Sequence, residues 1–351
     1  MVDTMNHSEF EEHCSRAKEF QDKNDWENAI KEYVRALEII PDDKDVMASV
    51  GFCYSRDRDH RKAIEIYLNL MNLDPKSAKW PYMVGYQYYD QFNWSEAITY
   101  FNKSLALKPD YLIVLYRQGY ALLKIDEREK AIECFKKYIE IWSNLEESDY
   151  KDRNKKGYSD SCFQLGKIYL DENTTDKAIE FFKEAVKHDS KNEHKHYNLG
   201  KAYLGKSDAE KAVEELEIAN RLHTKLDYFQ DKLAIAYAEI GECDKAEKIL
   251  VNLLRFVRKD WIYRDLAIVY HKKGRLQDAE REFKNALRKV PDNHKNHYFL
   301  GLVYVDKGDW ESAEKEFKMA IELKEKKYGL EYNEAEEKLK FIQQKIKEHE
   351  K

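Results

Sequence analysis

Between Ala78 and Asp110 apolar residues recur in two blocks separated by a short polar break. Trp80, Val84, Gly85 and Tyr88 share one face of the first block, and Ala97, Ile98, Phe101 and Leu105 share one face of the second. That spacing is the period of an amphipathic helix. The break, Asn93-Trp94-Ser95-Glu96, sets a capping residue three places before a carboxylate and so predicts a helix start. Lys108-Pro109 predicts the stop, because proline has no N–H and drives the residue before it out of the α region. Two helices this short cannot bury their apolar faces alone. The pattern demands neighbours.

The neighbours come at a fixed step. Ala29, Ala63, Ala97 and Ala131 are 34 residues apart; after a jump of 47 the series resumes at Ala178, Ala212 and Ala246, then Ala279 and Ala313. Gly51, Gly85, Gly119, Gly166, Gly200 and Gly301 share one slot of the first helix, which Ala17, Ala234 and Ala267 fill elsewhere. Gly241, Gly274 and Gly308 mark the turn between helices, and Pro41, Pro75, Pro109 and Pro291 mark the end of the second. An aromatic residue follows the small slot by three in Phe20, Tyr54, Tyr88, Tyr169, Tyr203, Tyr237, Tyr270 and Tyr304. Small residues at a helix crossing let two backbones approach, with aromatic rings filling the space beside them.

This pattern resembles the tetratricopeptide repeat, a helix-turn-helix unit with the same period and the same Leu-Gly, Tyr, Ala, Phe, Pro succession. The resemblance covers residues 8 to about 325 and counts nine repeats. It implies an all-α fold, a right-handed α-solenoid of tandem pairs. Repeats one to four occupy 8–141, with the first helix starting at the capping box Ser8-Glu9-Phe10-Glu11. Residues 142–158 interrupt the period. They read either as lengthened helices joined by a polar turn near Asp152–Gly157, or as a hinge or partner-specific loop; Trp142 and Leu145 favour the longer helices. Repeats five to nine occupy 159–325, although Ser190, Thr224 and Arg258 stand where proline ends the other units. In 326–351 the stripe Tyr332, Ala335, Leu339, Ile342 and Ile346 predicts a helix that covers the last repeat. It is too short for a coiled coil.

Composition narrows the chemistry. A net charge of −6 argues against a nucleic-acid-binding protein as a whole. The start, MVDTMNHSEFEEH, lacks the basic and apolar regions of a signal peptide, and no apolar run is long enough to span a membrane. Five scattered cysteines without a CxxC suit a reducing, cytoplasmic compartment. There is no phosphate loop, nucleophile elbow or HExxH. His188, His194 and His196, and separately His294 and His297, cluster without the further ligands that zinc needs, and neither Cys14 nor Cys162 has a catalytic partner at a telling spacing. No enzyme activity, metal or cofactor is expected.

What the resemblance implies is a binding groove lined by the first helix of each repeat. Its inward places fall on Lys79, Tyr82, Met83, Tyr86, Tyr89 and Asp90 in repeat three and on Ile113, Tyr116, Arg117, Tyr120, Leu123 and Lys124 in repeat four. In repeat five they fall on Asp160, Phe163, Gln164, Lys167, Leu170 and Asp171, and in repeat six on His194, Tyr197, Asn198 and Lys201. Tyrosine and arginine dominate binding hot spots because large groups can be desolvated while their polar ends stay satisfied. Trp261, Arg264, Tyr298 and Phe299 form a second candidate patch.

The family's clamp for heat-shock-protein carboxyl termini does not map onto this chain. Lys18 fits one place, but Cys14, Ser49 and Phe163 stand where the clamp needs Lys or Asn, and Asn198 is isolated. The expected partner is a protein or peptide held by a scaffold. The alternative is single-stranded RNA stacked on the tyrosines between Lys and Arg; Asp90, Asp160 and Asp171 count against it.

Overall fold

The computed structural model describes residues 2–223 and 227–349, with side chains from 7 to 348 outside 224–226. Thr224 therefore lies outside the described residues. Contacts divide the chain into two compact units, Met1–Ile168 and Tyr169–Lys351. Both are all-α.

The first unit runs α1 (Val2–Asp22), α2 (Trp26–Ile39), α3 (Lys44–Arg56), α4 (His60–Leu73), α5 (Lys79–Asp90), α6 (Trp94–Leu107), α7 (Leu112–Lys124) and α8 (Arg128–Ser143). Then α9 (Asp149–Asp171) leads into the second unit: α10 (Thr175–His188), α11 (Glu193–Gly205), α12 (Ala209–Leu222), α13 (Asp227–Glu239), α14 (Cys243–Leu254), α15 (Asp260–Lys272), α16 (Leu276–Lys289), α17 (His294–Lys307), α18 (Trp310–Tyr328) and α19 (Asn333–His349). Within each unit a helix packs on the helices before and after it in the chain, the stacking of a solenoid.

Each pair is locked at one crossing. The repeated alanines of the second helices, from Ala29 to Ala313, are fully buried. A Cβ on Gly51, Gly85, Gly119 or Gly301 would lie 2.7–2.9 Å from Tyr67, Phe101, Phe135 or Phe317, and on Gly200 it would lie 2.6 Å from Leu216. The side chain sixteen residues on, a ring in four of the five, occupies the space the glycine vacates.

The turns share one conformation that only partly follows residue type. Gly241, Gly274 and Gly308 have left-handed backbones, and so do Asn24, Arg58, Phe92, Asp126, Asn173 and Ser207 in the same slot of the other pairs. In all nine turns the next N–H bonds back to a carbonyl five residues earlier, at 2.8–3.0 Å, from Asp25 to Phe20 through Asp309 to Tyr304. This is the Schellman closure of a helix C-terminus. The same next residue caps the second helix. Asp25, Asp59, Asp208 and Asp309 accept N–H bonds from that helix's first turn. Asn93 holds the position without a side-chain cap bond, so the start of α6 rests on the turn instead.

Two expected boundaries move. The first helix begins at Val2, not Ser8; nothing in the preceding residues breaks a helix, and Ser8 continues one. The turn in the interruption is at 144–148, so Asp152–Gly157 lies inside α9. Gly157 is there for contact, since its Cβ would come 2.1 Å from the Tyr138 hydroxyl. Tyr138 donates to the Asn154 carbonyl and the Trp142 indole to that of Lys151, both at 2.9 Å. Tyr158 lies 4.1 Å from Trp142 between ring centres. The added length of α9 is thus bound to α8 by side chains that replace ordinary repeat packing.

At the other end α18 runs on to Tyr328, where Gly329 stops it with a left-handed backbone. Tyr332, Ala335 and Ile342 are buried and Leu339 and Ile346 half-buried in the core of the second unit. The apolar stripe of α19 covers the last pair.

Candidate functional site

On the first-helix face of the N-terminal unit, α5 presents Tyr82, Tyr86 and Tyr89 one turn apart, and α7 presents Arg117 above them. The guanidinium carbon lies 4.0 Å from the Tyr86 ring centre and 5.7 Å from those of Tyr82 and Tyr89. Ring quadrupoles attract a cation placed this way, by roughly 0.5–2 kcal/mol per good contact. Yet Nη1 of Arg117 is buried with no hydrogen-bond partner, and no ion pair to it is found among the described residues. Burial drives the Tyr82 hydroxyl pKa up and that of Tyr89 to about 12; Arg117 opposes both shifts and Tyr120 adds to that of Tyr89. Both phenols are therefore neutral at ordinary pH and do not balance the Arg117 charge.

Two open pockets flank this row. One, of about 470 Å³, lies among Phe52, Ser55, Arg56, Arg58, Tyr82, Met83, Tyr86, Asp90 and Arg117. The other, of about 490 Å³, is lined by Tyr89, Asp90, Phe92, Trp94, Tyr120 and Lys124. In the second, Trp94 meets Tyr89, Phe92 and Tyr120 edge-on at 5.2–6.3 Å. Phe92 is 74% exposed and has the left-handed backbone of its turn. A non-glycine residue in that region costs about 1–2 kcal/mol, and such strain collects at functional sites.

The structure thus brings Tyr82, Tyr86, Tyr89, Arg117, Tyr120 and Lys124 together. Lys79 lies apart at the start of α5, over the Trp80 ring at 4.6 Å. Tyr116 packs on Phe135 at 6.0 Å, with its pKa pushed up by burial. On α9, Lys167 lies 5.9 Å from the Phe163 ring. Tyr197, Asn198 and Lys201 belong to the second unit. There Tyr197 stacks on Phe229 at 4.8 Å, the Asn198 amide donates to the His194 carbonyl, and Lys201 is exposed.

Residues the sequence reading omits are Phe52, Ser55, Arg56, Arg58, Phe92 and Trp94. The first three occupy, one repeat earlier, the places of Tyr86, Tyr89 and Asp90; carrying the register back by 34 finds them. Arg58 and Phe92 share the turn slot and carry no such signal.

One histidine of each cluster is held by two hydrogen bonds. His196 bonds to Glu215 Oε2 at 2.6 Å and to the Ser190 carbonyl at 3.1 Å. His297 does the same with Glu316 and the Pro291 carbonyl. Burial lowers its pKa, but Glu316 and Pro291 outweigh that and the net shift is upward. Burial, followed by Glu11 and Asp43, raises the Cys14 thiol pKa; burial takes Cys53 to about 11, and burial, chiefly, takes Cys134 to about 11. Such thiols are poor nucleophiles.

The second candidate patch divides. Tyr298 and Phe299 pack on Phe317 and Phe283. Arg264 instead forms a two-pronged pair with buried Asp265 at 2.8 and 3.1 Å. Beside it, buried Asp231 pairs with Lys232 at 3.0 Å while its Oδ1 meets no donor. Burial, then the Asp265 charge, pushes the Asp231 pKa up to about 7 against the pull of Lys232.

Family models described as tetratricopeptide repeat match residues 264–327, 113–141 and 159–192. No curated protein matches the sequence. Solved structures that resemble it include MamA 41-end from Desulfovibrio magneticus RS-1, 19% identical over 48% of this chain and 97% of that one, with a TM-score of 0.42. A second MamA structure is 26% identical over 47% and 98%, with a TM-score of 0.40. YrrB, described as a TPR protein with an unusual peptide-binding site, is 17% identical over 50% and 92%, with a TM-score of 0.38.

Proposed function

The chain is a tetratricopeptide-repeat protein, and on that premise we propose that it is a non-catalytic scaffold holding a peptide or helix of a partner protein across α5 and α7. The observation that carries this reading is Arg117, whose guanidinium covers three tyrosine rings and, among the described residues, pairs with no carboxylate, at the wall of an open pocket. Aromatic rings and an arginine around a cleft are the residue types that anchor protein partners. The scaffold is proposed to work in the cytoplasm, a reducing compartment that five free thiols suit.

The test uses the full chain as bait in lysate of its own cells, with and without nuclease, beside a Tyr86→Ala/Tyr120→Ala variant of unchanged circular dichroism. The expected partner survives nuclease and is lost with the variant, and its cross-links map to α5 and α7. Partners retained by the variant, or lost to nuclease, overturn the reading.

A further inference from the structure

Among the described residues nine turn positions share the left-handed slot, and six of them are Gly, Asn or Asp, the residue types that tolerate it. Of the other three, Ser207 carries the smallest side chain, while Arg58 lines the pocket that holds Arg117 and Phe92 lines the neighbouring one. Each pocket therefore contains one side chain held there against local backbone preference.

Their chemistry differs. The Arg58 pocket also holds Arg56 and Arg117, against a single carboxylate, Asp90, which lies 3.6 Å from His60. Three guanidinium groups against one acid leave it cationic on a chain whose net charge is −6. Elsewhere arginines such as Arg16, Arg35, Arg275 and Arg281 hold carboxylates of this chain. Among the described residues, none of the pocket's three does. The Phe92 pocket is a box of rings edged by Lys124, and it adjoins the first through Asp90, which lines both.

We infer that the two pockets read adjacent side chains of an acidic partner segment: an Asp or Glu carboxylate against Arg56, Arg58 and Arg117, and an aromatic or long apolar side chain against Phe92, Trp94 and Tyr120. This rests on the peptide-scaffold reading and adds the partner's chemistry to it. The planar fork of arginine matches a carboxylate in two-pronged geometry. The shared Asp90 repels a continuous run of acids and so favours one acid beside one ring, and it argues against a phosphate backbone tracking through both pockets.

The experiment pans a phage-displayed random dodecapeptide library on the full chain, on Arg117→Gln, on Arg58→Gly and on Tyr86→Ala. Selected peptides, and versions with Asp or Glu replaced by the amide, are then titrated by fluorescence anisotropy. The expected peptides pair an acid with an aromatic or long apolar residue. Arg117→Gln should weaken the acidic form about tenfold or more, and the amide form little. Arg58→Gly, whose turn accepts glycine as three of its counterparts do, keeps the test valid should Arg117→Gln fold poorly. Binders without acids, or acidic binders indifferent to both arginine changes, overturn the anion pocket but leave the scaffold reading standing. A library yielding nothing sensitive to Tyr86→Ala overturns both. Displacement of the peptides by a twelve-residue oligouridylate, with steep salt dependence, overturns the acidic-peptide assignment in favour of RNA.

Discussion

Arg117 stands 4.0 Å from the centre of the Tyr86 ring, yet one of its terminal nitrogens is buried without a partner. The ring contact stabilises the folded chain while the orphan donor destabilises it, each by about 1 kcal/mol. Arg117→Met should therefore change unfolding free energy in urea by less than about 1 kcal/mol while partner binding falls. A loss of roughly 3 kcal/mol, the scale of a core deletion, would make Arg117 a packing residue.

Phe92→Gly relieves a left-handed phenylalanine and gives up its 5.6 Å edge contact with Trp94. The backbone term is larger, so thermal unfolding should show a stability gain of about 0.5–1 kcal/mol. The same variant should bind its partner more weakly. A variant that is less stable would show that the aromatic contact outweighs the backbone.

Tyr67 fills the ring position opposite Gly51, but its hydroxyl is buried with no hydrogen-bond partner. Phe101, Phe135, Phe283 and Phe317 fill the equivalent place in other pairs. Tyr67→Phe should raise stability by about 1 kcal/mol, read from the urea midpoint at unchanged slope. An unchanged or lower midpoint would mean that the hydroxyl is satisfied in solution.

Asp231 gives a pH signature of definite sign. Its folded pKa, near 7, lies above that of an ordinary carboxyl, so the folded chain keeps a proton the unfolded chain has released. The stability it contributes is complete below the ordinary carboxyl pKa and falls as pH rises towards 7. Asp231→Asn has no proton to lose. Its stability relative to the parent should climb by at least about 1.4 kcal/mol between pH 4.5 and pH 8. A difference independent of pH would place the charge elsewhere in the group formed with Lys232, Arg264 and Asp265.

Ending the chain at Glu331 removes α19 and uncovers the last pair. Buried Tyr332 and Ile342 together contribute about 3–6 kcal/mol, so the truncated chain should melt earlier and associate as its concentration rises, seen by light scattering. A monomer with the parent melting curve would show that the last pair needs no cover.

Period and residue size made most of the fold legible. Ala97 and Gly85 announce the crossing because no larger side chain fits, and the stripe on α19 announces a buried face. Contacts of long reach were not legible. Gly157 reads as a helix breaker until the Tyr138 hydroxyl is seen where its Cβ would be. Ser8 carries a cap signal that a longer helix overrides. Arg58 and Phe92 have no local preference for a left-handed backbone; the hairpin closure imposes it. Within the site, register alone placed Tyr86 and Arg117 on facing helices and would have placed Phe52 and Arg56. Trp94 was hidden by its role as the first residue of α6.

The lock between a small residue and the ring sixteen places on also bears on how quickly the chain finds its fold. Each crossing is closed by groups near in sequence, through one Schellman turn, so little loop entropy is lost before packing begins. Such local topology belongs to the fast end of the folding range. A hairpin can form once both its helices have left the ribosome, and it then offers a finished face on which the next one condenses.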